Sequence, residues 1–403
     1  MTVAGPPAEP DEARRTPVAE AQPAVRIRGL RRTFGETVAI DDLDLEVPLG
    51  AVFGLLGPDG AGKSTLIRML ATVLNPDSGD AEVNGCSVTQ EADAVTPRIG
   101  YMSQRFSMYP DLSVAENLNF FATIRGVART ERRTRAEALL GSMGLAEFAD
   151  RQAQFLSGGM KQKLMLATTL MHEPDLLLLD EPTTGVDPVS RREFWRILAG
   201  LHRAGKTVLV ATPYMDEAER CTHIAFLDKG RVRQSGTPAE IKRMVPGRLI
   251  EITSADPRAA LAAVADLPGA ASAHLLGDVV RVLWSDVDEP TATLADALAA
   301  ARVAPAAVRP VAMDMESVFA FLADTQPTTP EPDVAPDAQG TVAELDEASR
   351  HDQPPTTAEH DEASRHDPST SSGIVGSVGS SGSVGSSGSA AGSGSVGSQG
   401  GES

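Results

Sequence analysis

The amino-acid sequence predicts an α/β fold in which helices cover a mostly parallel sheet. Three runs of apolar residues have the length of strands: AVFGLLG at 51–57, LLLLD at 176–180 and TVLVAT at 207–212. Apolar runs without polar alternation are typical of strands that are buried on both faces. Stretches with helical periodicity separate the three runs, as expected where helices connect parallel strands. At 403 residues, the chain is long enough for two or three domains.

The stretch after LLLLD illustrates the helix signals. Asp187 is suited to the N-cap of a helix, and Pro188 to its first position. Phe194, Leu198 and Leu201 then recur at spacings that place them on one face. We therefore predict an amphipathic helix that begins at residue 188, within a first domain that spans residues 25–245.

A smaller α+β domain is predicted over residues 246–325. Its elements occur in the order β-α-β-β-α-β, which is the order of a ferredoxin-like module. The clearest strands are RLIEIT at 248–253 and VVRVLW at 279–284, and the helices are DPRAALAAVADL at 256–267 and TATLADALAAA at 291–301. A last helix follows, with an apolar face formed by Met315, Val318, Phe319 and Leu322.

Both ends of the chain, residues 1–24 and 326–403, are predicted to be disordered. The first is rich in Pro, Ala and Glu, and the second passes from two DEASRHD repeats into a Gly/Ser tract. Such compositions cannot bury enough apolar area to offset the entropy of ordering. The tail from residue 326 carries −10 of the formal net charge of −19, so the acidity indicates solubility more than any partner.

Cysteine content and hydropathy bear on the compartment. Two cysteines, Cys86 and Cys221, are too few for a disulfide framework, and the N-terminus has no apolar signal core. No stretch approaches the roughly 18 apolar residues needed to span a bilayer. The sequence therefore predicts a cytosolic protein that does not itself cross a membrane.

A phosphate site is predicted at residues 57–65, GPDGAGKST, which we call the phosphate loop. It fits the pattern G-x-x-x-x-G-K-[ST], follows a predicted strand and opens a predicted helix, as this motif requires. The glycines let backbone N–H groups converge on phosphate oxygens, Lys63 adds a positive charge, and Ser64 can ligate Mg²⁺. The expected nucleotide-binding residues are Gly57, Pro58, Asp59, Gly60, Ala61, Gly62, Lys63, Ser64 and Thr65.

Two acids, Asp180 and Glu181, stand at the end of the run LLLLD. In α/β sheets, ligands bind at the carboxyl ends of the strands. Asp180 is placed to hold Mg²⁺, directly or through water, and Glu181 to accept a proton from an attacking water. The alternative, two solvated acids in a turn, is disfavoured because the strand before them is wholly apolar.

A second anion-ready helix N-terminus is predicted at LSGGM, residues 156–160, which we call the signature segment. Ser157, Gly158 and Gly159 precede a good helical stretch, and the N-termini of helices attract anions. One nucleotide has no use for two such caps from one chain. Two chains arranged head to tail would use both.

Over about residues 25–245 the sequence resembles the ATP-binding subunit of an ABC transporter. The motifs stand in family order: Phe34 at the adenine-stacking aromatic, GPDGAGKST as Walker A, Gln104 in YMSQRF as the Q-loop, LSGGM as the signature, LLLLDE as Walker B, and TTGVD with Asp187 as the D-loop. Three segments look most like those of cassettes from bacterial drug or multidrug exporters: LSGGMKQKL, DEPTTGVDP and MDMESVFAFLA, which ends the predicted second domain.

The resemblance implies a P-loop NTPase cassette with a helical subdomain at about 105–172, and ATP and Mg²⁺ as cofactors. It implies Glu181 and Gln104 as catalytic residues, with Ser64, Asp180 and Gln104 at the metal. Two cassettes, identical or different, would sandwich ATP and drive an integral membrane permease that exports a drug-like or amphipathic molecule. The chain would then lie peripherally on the cytoplasmic face of a bacterial membrane.

The permease contact is expected in the loop after Gln104. The stretch RFSMYPDLSVAENLNFF is predicted to expose Phe106, Met108, Tyr109 and Pro110, before a helix opened by a capping box from Ser113 to Glu116. A loop whose apolar groups fold back on the cassette is the alternative.

Pro213 is the main departure from the family pattern, because it occupies the place of the switch histidine after the strand and Thr212. Proline offers no side-chain proton or hydrogen-bond donor, so we expect slow hydrolysis rather than none. Asp59 and Met160 replace the usual Asn and Gln, which affects only the detail of contacts between chains. Three other histidines are interpreted as structural: His172, His202 and His223.

Two rival functions are weighed against the transporter motor: a soluble ABC protein acting on ribosomes or DNA, and an ATP-binding regulator with little hydrolysis. Ribosome-acting relatives carry two cassettes, whereas this chain has one Walker A. DNA-repair relatives insert a long coiled coil between Walker A and the signature, and here no heptads occur there. No nucleic-acid partner is expected.

Overall fold

The computed structural model describes residues 22–285 and 290–324. The predicted N-terminal arm up to residue 21 and the whole predicted tail lie outside the described residues. Within these two ranges, no helix has both the length and the apolar character needed to cross a membrane.

The described residues form fourteen strands. In chain order they are β1 Val25–Phe34, β2 Thr37–Val47, β3 Val52–Leu56, β4 Ser78–Val83, β5 Cys86–Ser87, β6 Ile99–Met102, β7 Leu176–Asp180, β8 Thr207–Thr212, β9 His223–Asp228, β10 Arg231–Gly236, β11 Arg248–Ser254, β12 Ala270–Leu276, β13 Val279–Trp284 and β14 Pro305–Val311.

The same residues form eleven α-helices: α1 Lys63–Leu70, α2 Ala92–Val95, α3 Val114–Ile124, α4 Arg129–Met143, α5 Gly158–Leu170, α6 Pro188–Arg203, α7 Met215–Ala218, α8 Pro238–Met244, α9 Pro257–Val264, α10 Pro290–Ala300 and α11 Met315–Asp324.

The central sheet has six strands in the order β10-β9-β3-β8-β7-β6. The three apolar runs are confirmed as its strands β3, β8 and β7, which are adjacent, parallel and almost wholly buried. Leu56 pairs with Thr212, and Asp180 pairs with Ala211. The phosphate loop, the two acids and the residues around Pro213 therefore meet at one carboxyl edge of the sheet.

Local signals begin the helices as predicted. Asp187 caps α6 by accepting hydrogen bonds from the backbone N–H groups of Val189 and Ser190, with Pro188 at the first position. At α3, Ser113 and Glu116 form the predicted capping box. Each of these caps satisfies N–H groups that have no partner within the helix.

The third sheet, residues 248–311, is antiparallel with the order β12-β13-β11-β14. Together with α9 and α10 it has the β-α-β-β-α-β topology that the sequence predicts. Both helices cover one face of the sheet, where their apolar residues pack on Ile250, Ile252, Val280 and Val282.

The helix α11 lies between the third sheet and the central sheet. Its residues Met315 and Val318 belong to the same apolar cluster as Leu283 of β13 and Ile224 of β9. The ring of Phe319 lies 4.5 Å, centroid to centroid, from the ring of Phe226 in β9. The apolar face predicted for this helix thus packs against the central sheet as well as the third sheet.

Candidate functional site

The phosphate loop turns sharply from β3 into α1. Gly57 and Gly62 have positive φ angles of 154° and 105°. A Cβ atom on Gly57 would lie 2.1 Å from the carbonyl oxygen of Leu227, and one on Gly62 would lie 2.4 Å from that of Ala39. Because a side chain would collide with backbone at both places, only glycine fits. The other predicted loop residues are the exposed Pro58, Asp59 and Gly60, the buried Ala61, and the half-buried Thr65.

Lys63 begins α1 and is only 4% exposed. Its ammonium donates hydrogen bonds to the carbonyl oxygens of Gly57 and Pro58, at 2.9 Å each, and lies 3.9 Å from Oε1 of Glu181. Burial lowers the pKa of Lys63, and the neighbouring carboxylates act in the opposite direction. The loop therefore holds a positive charge at the position where phosphate oxygens would converge.

Ser64 and Asp180 form a pair of oxygen donors beside the loop. The Ser64 hydroxyl donates to Oδ1 of Asp180 at 2.8 Å. The second carboxylate oxygen, Oδ2, is buried and has no protein hydrogen-bond partner among the described residues. Burial raises the pKa of Asp180, while the hydrogen bond from Ser64 opposes this rise. A buried, unsatisfied carboxylate oxygen next to a hydroxyl fits a hard divalent cation such as Mg²⁺.

Glu181 is held from three sides. Its Oε2 accepts hydrogen bonds from Nε2 of Gln104 at 2.7 Å and from the hydroxyl of Thr184 at 3.1 Å. Its backbone N–H donates to the carbonyl oxygen of Ala211, and its φ angle is 48°. A left-handed conformation is unfavourable for a residue with a Cβ, so the surrounding bonds fix this side chain in place.

The signature segment lies against the start of α6. Ser157 caps α5 by accepting from the N–H of Met160. A Cβ atom on Gly159 would lie 2.5 Å from the side chain of Ser190, which explains the glycine and brings Gly158 and Gly159 beside the helix that Asp187 caps. In the described part of the chain, no hydrogen bond joins the signature segment to the phosphate loop.

Phe34, the predicted adenine-stacking residue, ends β1 and is half-buried. The guanidinium of Arg32 lies 4.9 Å from its ring centroid, so one face of the ring already has a cationic neighbour. Phe34 thus stands on the antiparallel sheet of β2-β1-β4-β5, whereas the phosphate loop follows the central sheet.

The predicted site residues therefore fall into two groups. Gln104, Asp180 and Glu181 meet the phosphate loop at Lys63 and Ser64. The signature residues and Asp187 form a separate surface within this chain.

The histidines near the central sheet have structural partners. Nε2 of His172 lies 2.8 Å from the carbonyl oxygen of Ile99, and Nδ1 of His202 lies 2.7 Å from that of Gly50. Burial lowers the pKa of His172, and the hydrogen bond to Ile99 opposes this shift. His223 begins β9 beside Thr222.

Two features of this region are not evident from the sequence. Glu217, in α7, is fully buried and accepts hydrogen bonds from Thr183 and Thr212; an acidic helical stretch gives no signal that one of its acids lies inside. Met108 was expected to be exposed, but it is 8% exposed and accepts a weak hydrogen bond from Thr168. The expectation was wrong for Met108 because its side chain fills the core between α3 and α5.

Comparisons with known proteins agree with this geometry. The sequence model of the ABC transporter family matches residues 40–184. The daunorubicin/doxorubicin resistance ATP-binding protein DrrA of Streptomyces peucetius is 44% identical over 230 residues, which cover 57% of this chain and 70% of DrrA. The Nod factor export ATP-binding protein I of Cupriavidus metallidurans is 43% identical over 218 residues, which cover 54% of this chain and 72% of that protein.

Solved structures show the same fold. An ATP-binding subunit of an ABC transporter is 27% identical with a TM-score of 0.51, covering 55% of this chain and 92% of its own. The protein cbiO1 of Clostridium perfringens, part of the ABC transporter complex cbiONQ, is 26% identical with a TM-score of 0.50, covering 55% and 94%. With more than 40% identity to these two ATP-binding proteins over more than two thirds of their length, this chain belongs to the ABC transporter family as an ATP-binding subunit.

Proposed function

We propose that this chain hydrolyses ATP, in a head-to-tail pair of cassettes, to drive a separate membrane subunit. The observation that carries the proposal is the carboxylate of Glu181, whose Oε2 accepts a 2.7 Å hydrogen bond from Gln104 and whose Oε1 lies 3.9 Å from the ammonium of Lys63. A carboxylate oriented beside a buried positive charge and a phosphate-binding loop can direct a water at a phosphoryl group.

In this proposal, each residue of the site has a separate role in phosphoryl transfer. Glu181 accepts the proton of the attacking water, and Gln104 holds Glu181 in the orientation for this transfer. Lys63 and the loop N–H groups compensate negative charge on the phosphates. Ser64 and Asp180 would hold Mg²⁺, which supplies further charge compensation when bound.

A second cassette completes the site in this proposal. The N-terminus of α5, capped by Ser157, makes no hydrogen bond with the phosphate loop of its own chain in the described part. Its N–H groups and dipole suit the terminal phosphate of a nucleotide held by another chain. The partner cassette is a second copy of this chain or a different one.

The loop around Tyr109 is the proposed contact with the permease. Asn117 is buried and fixes this loop: its Oδ1 accepts from the N–H of Tyr109, and its Nδ2 donates to the carbonyl oxygen of Tyr109. Tyr109 is 47% exposed, and its ring packs edge-on against the ring of Phe120 with 4.6 Å between centroids. A rigid, exposed aromatic suits the docking of a partner's short helix.

The permease contact is tested by Tyr109→Glu. We expect a large loss of co-purification with the permease in mild detergent, because a charge would have to be buried in the interface. The matched control is Leu49→Glu, at a residue that is 63% exposed on a different surface. Assembly and transport that are unchanged by Tyr109→Glu would show that the loop serves only the cassette.

An amphipathic or drug-like small molecule is the proposed cargo. The proposal rests on the names of the relatives, which describe resistance to daunorubicin and doxorubicin and export of Nod factor. In this arrangement the chain lies peripherally on the cytoplasmic face of a bacterial membrane, held there by the permease.

The hydrolysis proposal is tested by ATP turnover of the chain assembled with its permease. Glu181→Gln should leave MgATP binding intact and lower turnover by about 10²–10⁴-fold, the scale of general-base catalysis. Lys63→Ala should abolish tight binding. A parental rate in Glu181→Gln would exclude Glu181 as the base. A parental complex without turnover would instead identify an ATP-binding regulator, and recovery of ribosomes or DNA in place of a membrane protein would identify the soluble rival.

A further inference from the structure

The carboxylate of Glu217 is buried close to the segment that carries Glu181 and to the end of β8. Its side chain is fully buried, although the residue belongs to α7, a single helical turn with two exposed acids, Asp216 and Glu219, on either side. A buried carboxylate is costly unless hydrogen bonds and an opposite charge compensate it. The hydrogen-bond and ion-pair partners of Glu217 therefore indicate which segments it positions.

Glu217 joins two segments that are distant in sequence. Oε1 accepts a hydrogen bond from the hydroxyl of Thr183, and Oε2 accepts one from the hydroxyl of Thr212, both at 2.7 Å. Thr183 follows Glu181 by two residues, and Thr212 immediately precedes Pro213. The carboxylate thus ties the segment that carries the proton acceptor to the end of β8.

An arginine supplies the compensating charge. Nε of Arg191, in α6, lies 3.7 Å from Oε1 of Glu217, and the guanidinium stacks 4.0 Å over the ring of Tyr214. Arg191 thereby links the start of α6, which follows the D-loop, to the same carboxylate. Three segments around the site converge on one buried side chain.

The chain after β8 is restrained by the hydrogen bonds of Thr212 and by the stacking of Arg191 on Tyr214. Pro213 has no backbone N–H and no side-chain donor. The hydroxyl of Thr212 accepts the N–H of Tyr214 at 3.1 Å while it donates to Glu217. The hydroxyl of Thr212 therefore links the backbone that follows Pro213 to the buried carboxylate of Glu217.

We propose that Glu217 is a positioning residue for ATP hydrolysis, which acts through Thr183 and Thr212 to fix Glu181 against the strand end at Pro213. This inference rests on the proposed hydrolytic function. Glu217 is fully buried and its carboxylate is bonded to the two threonines, so we expect it to affect the rate of the chemical step and not ATP affinity.

The test compares Glu217→Gln with Glu219→Gln in the full-length chain assembled with its permease. Glutamine has the same size, but it cannot accept from both threonines and balance Arg191. We expect kcat to fall by roughly 10- to 100-fold, the scale of a misplacement of about 1 Å, while the Kd for MgATP stays within about threefold. Glu219→Gln, which removes only a half-exposed ion pair to Lys242, should leave both constants unchanged.

A second pair of variants separates positioning from folding. Thr183→Val removes one hydroxyl bonded to Glu217, and Thr183→Ser retains it. We expect Thr183→Val to lower kcat and Thr183→Ser to keep the parental kcat. The double variant Thr183→Val, Glu217→Gln should have a kcat no lower than that of Glu217→Gln alone.

The possible outcomes distinguish the role proposed for Glu217 from the proposed ATP hydrolysis on which it rests. A parental kcat in Glu217→Gln, or equal losses in Glu217→Gln and Glu219→Gln, would overturn the role of Glu217 and leave hydrolysis intact. A parental complex without turnover would overturn the proposed hydrolysis itself. A loss of ATP affinity equal to the loss of kcat would assign Glu217 to general folding of the site.

Discussion

At the scale of single residues, we propose that Pro213 limits the rate of hydrolysis. We expect Pro213→His to raise kcat by roughly tenfold, because one added donor near the leaving phosphate contributes about 1.4 kcal/mol to the transition state. The Kd for MgATP should change little, since the gain belongs to the transition state. Steady-state turnover and equilibrium binding measure the two effects.

Pro213→Ala is the control for this change. Alanine restores the backbone N–H and removes the ring, but it supplies no side-chain donor. We expect the increase in kcat for Pro213→His to exceed any increase for Pro213→Ala. Equal rates in the two variants would mean that the proline ring, and not the missing donor, limits turnover.

His172 makes stability depend on pH. Burial lowers the pKa of His172 in the folded protein, the cations Arg125 and Lys206 act in the same direction, and the hydrogen bond to Ile99 opposes them. The unfolded chain has the ordinary pKa of about 6.5. Below that pH the unfolded chain binds a proton that the folded chain does not, so stability is complete above about pH 6.5 and falls as the pH is lowered.

Urea denaturation between pH 7.5 and 5.5 checks this prediction. The midpoint should fall less steeply in His172→Gln, whose amide can still donate to the carbonyl oxygen of Ile99 and does not titrate. An identical pH dependence in parent and variant would show that other groups account for the loss.

Residues that belong to a spaced motif could be predicted from the sequence, and the structure brings Lys63, Ser64, Asp180 and Glu181 together. Their spacing around a strand and a helix carries the information. Glu217 and Thr183 could not be predicted, because their contact is made only by the fold. Met108 was misplaced for the related reason that a loop sequence does not show which apolar side chain turns inward.

At the scale of elements, α11 connects the third sheet to the cassette. Phe319 packs on Phe226 of β9, which pairs with β3, the strand that leads into the phosphate loop. We expect Phe319→Ala to lower the free energy of unfolding by about 2 kcal/mol, less than for a fully buried ring because Phe319 is half-buried. Urea denaturation followed by the fluorescence of Trp195 and Trp284 measures the change.

Glu316→Ala is the matched control on the same helix, since Glu316 is exposed and lies in the first turn, where its charge favours the helix dipole. Its effect should stay below about 1 kcal/mol. If Phe319→Ala costs no more than Glu316→Ala, α11 does not hold the two sheets together.

The elements with strong signals are predicted well, and weaker patterns are missed. Continuous apolar runs and capped helices gave β3, β7, β8 and α6 to within a residue or two. The antiparallel sheet of β2-β1-β4-β5 was not predicted. Its strand β1 alternates charged and apolar residues and contains register shifts, so the periodicity breaks within one strand.

At the scale of the whole molecule, the tail after Thr325 is predicted to be dispensable for hydrolysis. No residue in it maps to phosphate, metal or adenine chemistry. A chain that ends at Thr325 should keep turnover within about twofold of the parent, measured in the assembled complex. A collapse of turnover on truncation, with the fold retained, would assign the tail a role in the catalytic cycle.

The order of elements in the third sheet was predictable, whereas its docking was not. Alternating strands and helices specify the topology of residues 248–311 within one short segment. The packing of α11 against β9 depends on the shapes of two surfaces that are distant in sequence. An apolar helix face shows that something covers it, but not which surface does so.

The left-handed backbone of Glu181 lowers the stability of the folded chain in exchange for the position of its carboxylate. A side chain in that conformation costs about 1–2 kcal/mol, which glycine would not incur. Variants screened only for resistance to heat should therefore accumulate glycine at position 181 and lose hydrolysis as they gain stability. The strain at Glu181 is thus the loss of stability that accompanies a carboxylate held where the proposed proton acceptor must lie.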